Sequence, residues 1–163
     1  MSNDISPLVL KIAAALEKRH QSLALAESCT GGLVSTVITR QAGVSSFFKG
    51  SVISYANSAK AELLGVPEHL LNVIGAVSEP VAKYMARGVR KQFGSDWAVS
   101  ITGIAGPGGG QPDKPVGTVC FAVVGPGIEV FCRQQFENNG REFIQKASAE
   151  FALEYLWTQI HQV

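Results

Sequence analysis

Little in this sequence points to a metal or to a disulfide framework. Its three cysteines, Cys29, Cys120 and Cys132, form no C-x-x-C pair, and its three histidines, His20, His69 and His161, cluster with none of them. No metal ligands and no cofactor are expected, and free thiols fit a reducing, cytoplasmic setting. Charge of one sign is also scarce, since 14 Lys and Arg against 13 Asp and Glu leave a formal +1. Without a basic stripe, a nucleic-acid partner is not expected. No apolar run approaches the roughly 18–20 residues that cross a bilayer, and no export signal is recognisable, so no membrane association is expected. Repeats, linkers and low-complexity tracts are missing as well. What remains is 163 residues, 46% of them hydrophobic, expected to fold as one domain over 1–163.

Glycine, by contrast, is abundant: 17 of 163, above the usual proportion of roughly 7%. Its placement follows from a coarse pass along the chain. Residues 6–19 repeat apolar side chains at helical spacing through Leu8, Ile12 and Leu16. A short strand, 23–26, breaks at Glu27-Ser28-Cys29-Thr30-Gly31-Gly32, and a helical period resumes over 33–42. Residues 47–56 are aromatic and β-branched and read as a strand. Asn57 is expected to cap a helix ended by Gly65, Pro67 to open another, and Ser78-Glu79-Pro80 to start a longer one that stops at Gly94. The run 96–102 is nearly all apolar, as in a strand buried on both faces. It leads into residues 103–110, which hold five glycines. Strands 116–124 and 128–136 form a hairpin across Gly125-Pro126-Gly127. Pairing Val124 with Ile128 would set Cys120 opposite Cys132 as core packing, with Glu129, Arg133 and Gln135 facing water. Residues 141–160 close the chain as a helix with a stripe of Ile144, Ala147, Phe151 and Tyr155. Alternating helices and strands followed by a hairpin predict an α/β fold, a three-layer α/β/α sandwich around one mixed β-sheet.

Three segments can carry chemistry. Residues 27–32 sit at a strand-to-helix turn, where free amides with Ser28, Thr30, Gly31 and Gly32 form an anion cradle, or where Ser28 or Thr30 merely caps the helix. The glycine run from Thr102 through Gly103 and Gly106 precedes no helix, so it is not a dinucleotide fingerprint; it either lets a ligand approach main-chain amides or forms a flexible crossover. In the third segment, Asn57 as cap puts Lys60 at the third helical position, where the helix dipole lowers the pKa of an ammonium. A neutral lysine can deprotonate a serine such as Ser45, with Tyr55 relaying the proton; the alternative is a solvated lysine, a turn-capping serine and a core tyrosine. Cys29 reads as a buried structural thiol, and Arg141 as an exposed charge unless it meets an anion.

Taken in order, the segments AESCTGG, GVSSFFKGSVISYANSAKAELLGV, GAVSEPVA, ITGIAGPGGG and KPVGTV resemble the CinA C-terminal domain family over about residues 6–160. That resemblance implies an α/β sandwich around a mixed sheet, and hydrolysis of the carboxamide of nicotinamide mononucleotide to nicotinic acid mononucleotide and ammonia, as in NAD recycling. It implies Ser45 as nucleophile, with Ser46 beside it as the alternative, Lys60 as base and Tyr55 as its neighbour. Ser28, Thr102 and Arg141 match positions tied to substrate binding and site support. It further implies a stand-alone form without an N-terminal nucleotide-processing domain, a homodimer by analogy and base rate, and nicotinamide mononucleotide as the small-molecule partner. The competing expectations are a catalytically inactive nucleotide-binding or interaction domain, and an amidase for another small carboxamide.

Overall fold

The computed structural model describes residues 4–163. The apolar runs lie in one five-stranded mixed sheet. Its strands β1 (Leu23–Glu27), β2 (Phe48–Ile53), β3 (Trp97–Gly103), β4 (Thr118–Gly125) and β5 (Ile128–Gln135) take the order β2-β1-β3-β4-β5. β1 is parallel to β2 and β3, whereas β4 is antiparallel to β3 and β5. Every residue of β1 and β4 is buried, because helices cover both faces. β5 alternates half-buried and exposed residues, as expected of an edge.

One face packs against α1 (Ser6–Lys18), α2 (Leu33–Thr39) and α6 (Arg141–His161), with Leu23, Leu25, Trp97, Val99, Ile101 and Phe121 in its core. The other carries small side chains, Ala24, Ala26, Ala98 and Ala122, which let α5 (Glu79–Phe93) lie close to the sheet. The short helices α3 (Asn57–Leu64) and α4 (Glu68–Val73) pack against α5. At Gly88 of α5 a Cβ would fall 2.0 Å from the Leu64 carbonyl oxygen, so only glycine allows α3 this close. α2 follows β1 on one face and α3 follows β2 on the other. The loops therefore diverge beyond the carboxyl ends of the parallel strands, where open α/β sheets form their crevice.

The predicted sandwich is the observed one, with local differences. β2 ends at Ile53 rather than at residue 56, and Ala56, not Asn57, is the N-cap, so Lys60 is the fourth helical residue. Pro67 is likewise a cap, preceding helix α4 at Glu68. The hairpin turn has two residues, pairing Gly125 with Ile128, which shifts the expected register by one. Cys120 thus lies opposite Arg133, and Cys132 opposite Phe121; the two cysteines occupy opposite faces. On α6, Ile144 is buried but Ala147, Phe151 and Tyr155 are half-buried, because the buried stripe runs through Ala149, Ala152, Leu153, Leu156 and Ile160.

Candidate active site

Parallel pairing brings Glu27 of β1 beside Ile53 of β2 and Ile101 of β3, so Ser28, Ser54 and Thr102 all emerge at one edge of the sheet. Lys60 of α3 folds back over this edge and is only 1% exposed. Its Nζ donates to the carbonyl oxygens of Ser54 (2.8 Å) and Tyr55 (3.1 Å) and lies 3.0 Å from Ser28 Oγ. Carbonyls only accept, so two N–H bonds are committed to them. In a neutral amine the remaining direction is the lone pair, and the remaining partner is the Ser28 hydroxyl. Burial lowers the Lys60 pKa from its usual value, with a small opposing effect of Cys29, and none of the ion pairs among the described residues involves Lys60. The geometry sets a serine hydroxyl against the free direction of a buried lysine.

The turn after Ser28 is organised by Glu27, which is fully buried. Its Oε2 accepts from Thr30 Oγ1 (2.6 Å) and from the amides of Gly32 and Val34, and its Oε1 accepts from the amide and hydroxyl of Ser35. The positive end of α2 is therefore occupied by the chain's own carboxylate, where a negative charge is favoured. This corrects the expected anion cradle at Thr30, Gly31 and Gly32: the Gly32 amide and the Thr30 hydroxyl are already spent on Glu27, and Gly31 donates to the Ser28 carbonyl. Cys29 is core, its thiol pushed up to about 12 by burial, and so remains protonated.

α6 closes the edge from the other side. Arg141, its first residue, donates through Nη1 to Gly106 O (2.6 Å) and through Nη2 to the Tyr55 hydroxyl. Gln145, one turn on, donates to the Cys29 carbonyl at 3.0 Å. Tyr55 is 58% exposed, so it is not core, and it reaches Lys60 through its main-chain oxygen while its hydroxyl meets Arg141. Thr102, 1% exposed, donates to Ala76 O and stands one position past Ile101, hence beside Ser28. Gly103 and Gly106 are explained by packing: a Cβ would fall 2.7 Å from Val119 and 2.6 Å from Val116, respectively. Two surface hollows, of about 540 Å³ between α5 and the β5 edge and about 770 Å³ between α2 and α6, are lined by neither Ser28 nor Lys60. Among the described residues no cluster of three or more His, Cys, Asp or Glu could hold a metal ion.

Ser45 is elsewhere. It is exposed in the 3₁₀ turn Val44–Ser46, ahead of β2, whereas Lys60 lies beyond the end of that strand. A strand of six residues at about 3.3 Å each separates them by about 20 Å. Ser46 is bound to Glu17 Oε1 at 2.5 Å and tethers the turn to α1. The serine that meets Lys60 is Ser28. The sequence carries only half of the distinguishing signal, Ser28 following a strand while Ser45 precedes one; the parallel pairing of those strands, which makes residues after them share an edge, is supplied by the fold.

The family model for the CinA C-terminal domain matches residues 5–160. The chain belongs to the CinA C-terminal domain family. A CinA-like protein of Synechococcus sp. (strain RCC307) is 48% identical over 158 residues, 96% of this chain but 38% of its own length, so the chain spans under two fifths of that relative. The competence/damage inducible protein CihA from Agrobacterium tumefaciens superposes with a TM-score of 0.93 at 36% identity, covering 97% of this chain and 96% of that one. The competence damage-inducible protein A (ComA) from Klebsiella pneumoniae does so with 0.93 at 33% identity, covering 98% of each. In this CinA domain the sequence reading overlooked Glu27 and Gln145. Both had a signal: an acid beside a helix start, and a position four residues after Arg141 on one helix face.

Proposed function

We propose that this CinA-family domain is a metal-independent amidase in which Ser28 is the nucleophile and Lys60 the general base, and that its substrate is nicotinamide mononucleotide. The observation that carries the reading is the 3.0 Å contact between Ser28 Oγ and a buried Lys60 Nζ whose other two partners are carbonyls. Neutral Lys60 takes the Ser28 proton as Oγ attacks the carboxamide carbon. The resulting ammonium returns that proton to the leaving nitrogen, ammonia departs, and an acyl ester stays on Ser28. A water, deprotonated by Lys60, cleaves the ester and restores the serine. Arg141 keeps three of its five N–H donors for an anionic group such as the substrate phosphate. The choice of substrate rests on the family resemblance.

The test follows ammonia and nicotinic acid mononucleotide released from nicotinamide mononucleotide by protein stripped of metal. Turnover by the wild type, its loss in Ser28→Ala and its retention in Ser45→Ala are expected. A folded wild type that releases no product rejects the amidase. Loss of turnover in Ser45→Ala alone rejects Ser28. Binding of the nucleotide without ammonia release would mark the inactive, binding-only alternative.

A further inference from the structure

Of the amides from 29 to 35, five have an acceptor: Gly31 donates to Ser28 O, Leu33 to Thr30 O, and Gly32, Val34 and Ser35 to Glu27. The Thr30 amide has none among the described residues, and the Cys29 amide contacts only its own thiol sulfur. They are the two that directly follow Ser28 in the chain, where a tetrahedral oxyanion forms during attack. Their directions are held from the carbonyl side. In a planar trans peptide the C=O and N–H point oppositely, so fixing one fixes the other. The Ser28 carbonyl is held by the Gly31 amide, and the Cys29 carbonyl by Gln145 Nε2 at 3.0 Å. Gln145 lies on α6, which packs on the face opposite α5, while Ser28 turns toward Lys60 on the α5 side. With the Cys29 carbonyl pulled toward α6, the Thr30 amide is aimed back toward the Ser28 side.

We propose that Gln145 is a positioning residue that holds the 29–30 peptide so that the Thr30 amide, with that of Cys29, receives the oxyanion formed when Ser28 attacks. This rests on Ser28 being the nucleophile. It also links the anion-facing end of α6 to the reacting centre, because Arg141 and Gln145 leave the same helix face one turn apart.

The experiment compares wild type, Gln145→Leu and the isosteric Gln145→Glu in two reactions: nicotinamide mononucleotide hydrolysis, and the acylation burst with p-nitrophenyl acetate, with Ser28→Ala as blank. Circular dichroism and thermal midpoints monitor folding. Both variants are expected to lose about 10- to 100-fold in kcat with KM within about threefold of wild type, and to slow the burst in parallel, a fraction of what deleting an oxyanion donor costs. A Gln145→Leu protein that fails to fold leaves the decision to Gln145→Glu. Turnover within twofold of wild type, or a raised KM at unchanged kcat, overturns the positioning role. A wild type that acylates at Ser28 but ignores nicotinamide mononucleotide rejects the substrate, and the burst still decides on Gln145. A wild type inert in both reactions overturns both.

Discussion

A lysine buried without an acid partner holds its proton weakly, since desolvation penalises the ammonium. Lys60 meets that condition, and its contacts are two carbonyls and one hydroxyl. The groups around it add little: Glu27 is saturated by neutral donors, and Cys29 stays protonated. In the proposed role of general base Lys60 would work only when neutral, so kcat/KM is expected to rise with pH through its lowered pKa and level off above it. Lys60→Met is expected to cost about 10²- to 10⁴-fold, the span of general-base contributions, and to abolish that rise. A pH–rate profile taken from the acid side up to the onset of thiol ionisation checks this, and a wild-type rate that falls as pH rises contradicts it.

α2 is an element of seven residues without a side-chain cap at Gly32, and so too short to be stable alone. Glu27 takes the place of the cap, accepting three hydrogen bonds from α2 and its entry turn at Oε2 and two at Oε1. Every partner is a donor, so Glu27→Gln would turn an NH₂ group toward N–H and O–H groups and leave buried donors unpaired. A loss on the order of 3 kcal/mol is expected from such groups, read as a lower urea midpoint at unchanged slope. Glu27→Gln should also depress turnover, since the same turn carries Ser28; a variant as stable as wild type contradicts the anchoring role. Elements such as α5 were legible, because Ser78, the glutamate and proline after it, and Gly94 mark both ends. The start of α3 was not, since Asn57 has the chemistry of a cap while the extended backbone at Ala56 takes the position.

At the scale of the whole molecule, the site draws on residues 27–30, 54–60, 102–106 and 141–145, brought together only by the sheet. Sequence motifs marked these segments, and the layer architecture followed from their alternation. The pairing within the site did not, because it depends on strand direction: Ser28 and Ser45 both look chemically suitable, and only the parallel register of β1 and β2 puts one beside Lys60 and the other at the far edge. The hairpin register slipped for a similar reason, the difference between a two- and a three-residue turn. Global stability carries the mark of the same lysine. Its folded pKa is lowered, whereas an unfolded lysine titrates near about 10.4, so between these values unfolding takes up a proton. Stability then rises with pH by up to about 1.4 kcal/mol per unit for one proton. It is lost as pH falls through the folded pKa. The buried thiols act oppositely: Cys29 is pushed up to about 12 and Cys120 to about 11, against about 8.5 when unfolded, so they erode stability above that point. The clean window is therefore the pH range below about 8.5, where the unfolded thiols begin to ionise. Across it, the urea-derived unfolding free energy of the wild type is expected to gain on that of Lys60→Met, which has no amine to titrate. Parallel pH dependence in the two proteins would show that Lys60 keeps its proton in the folded state.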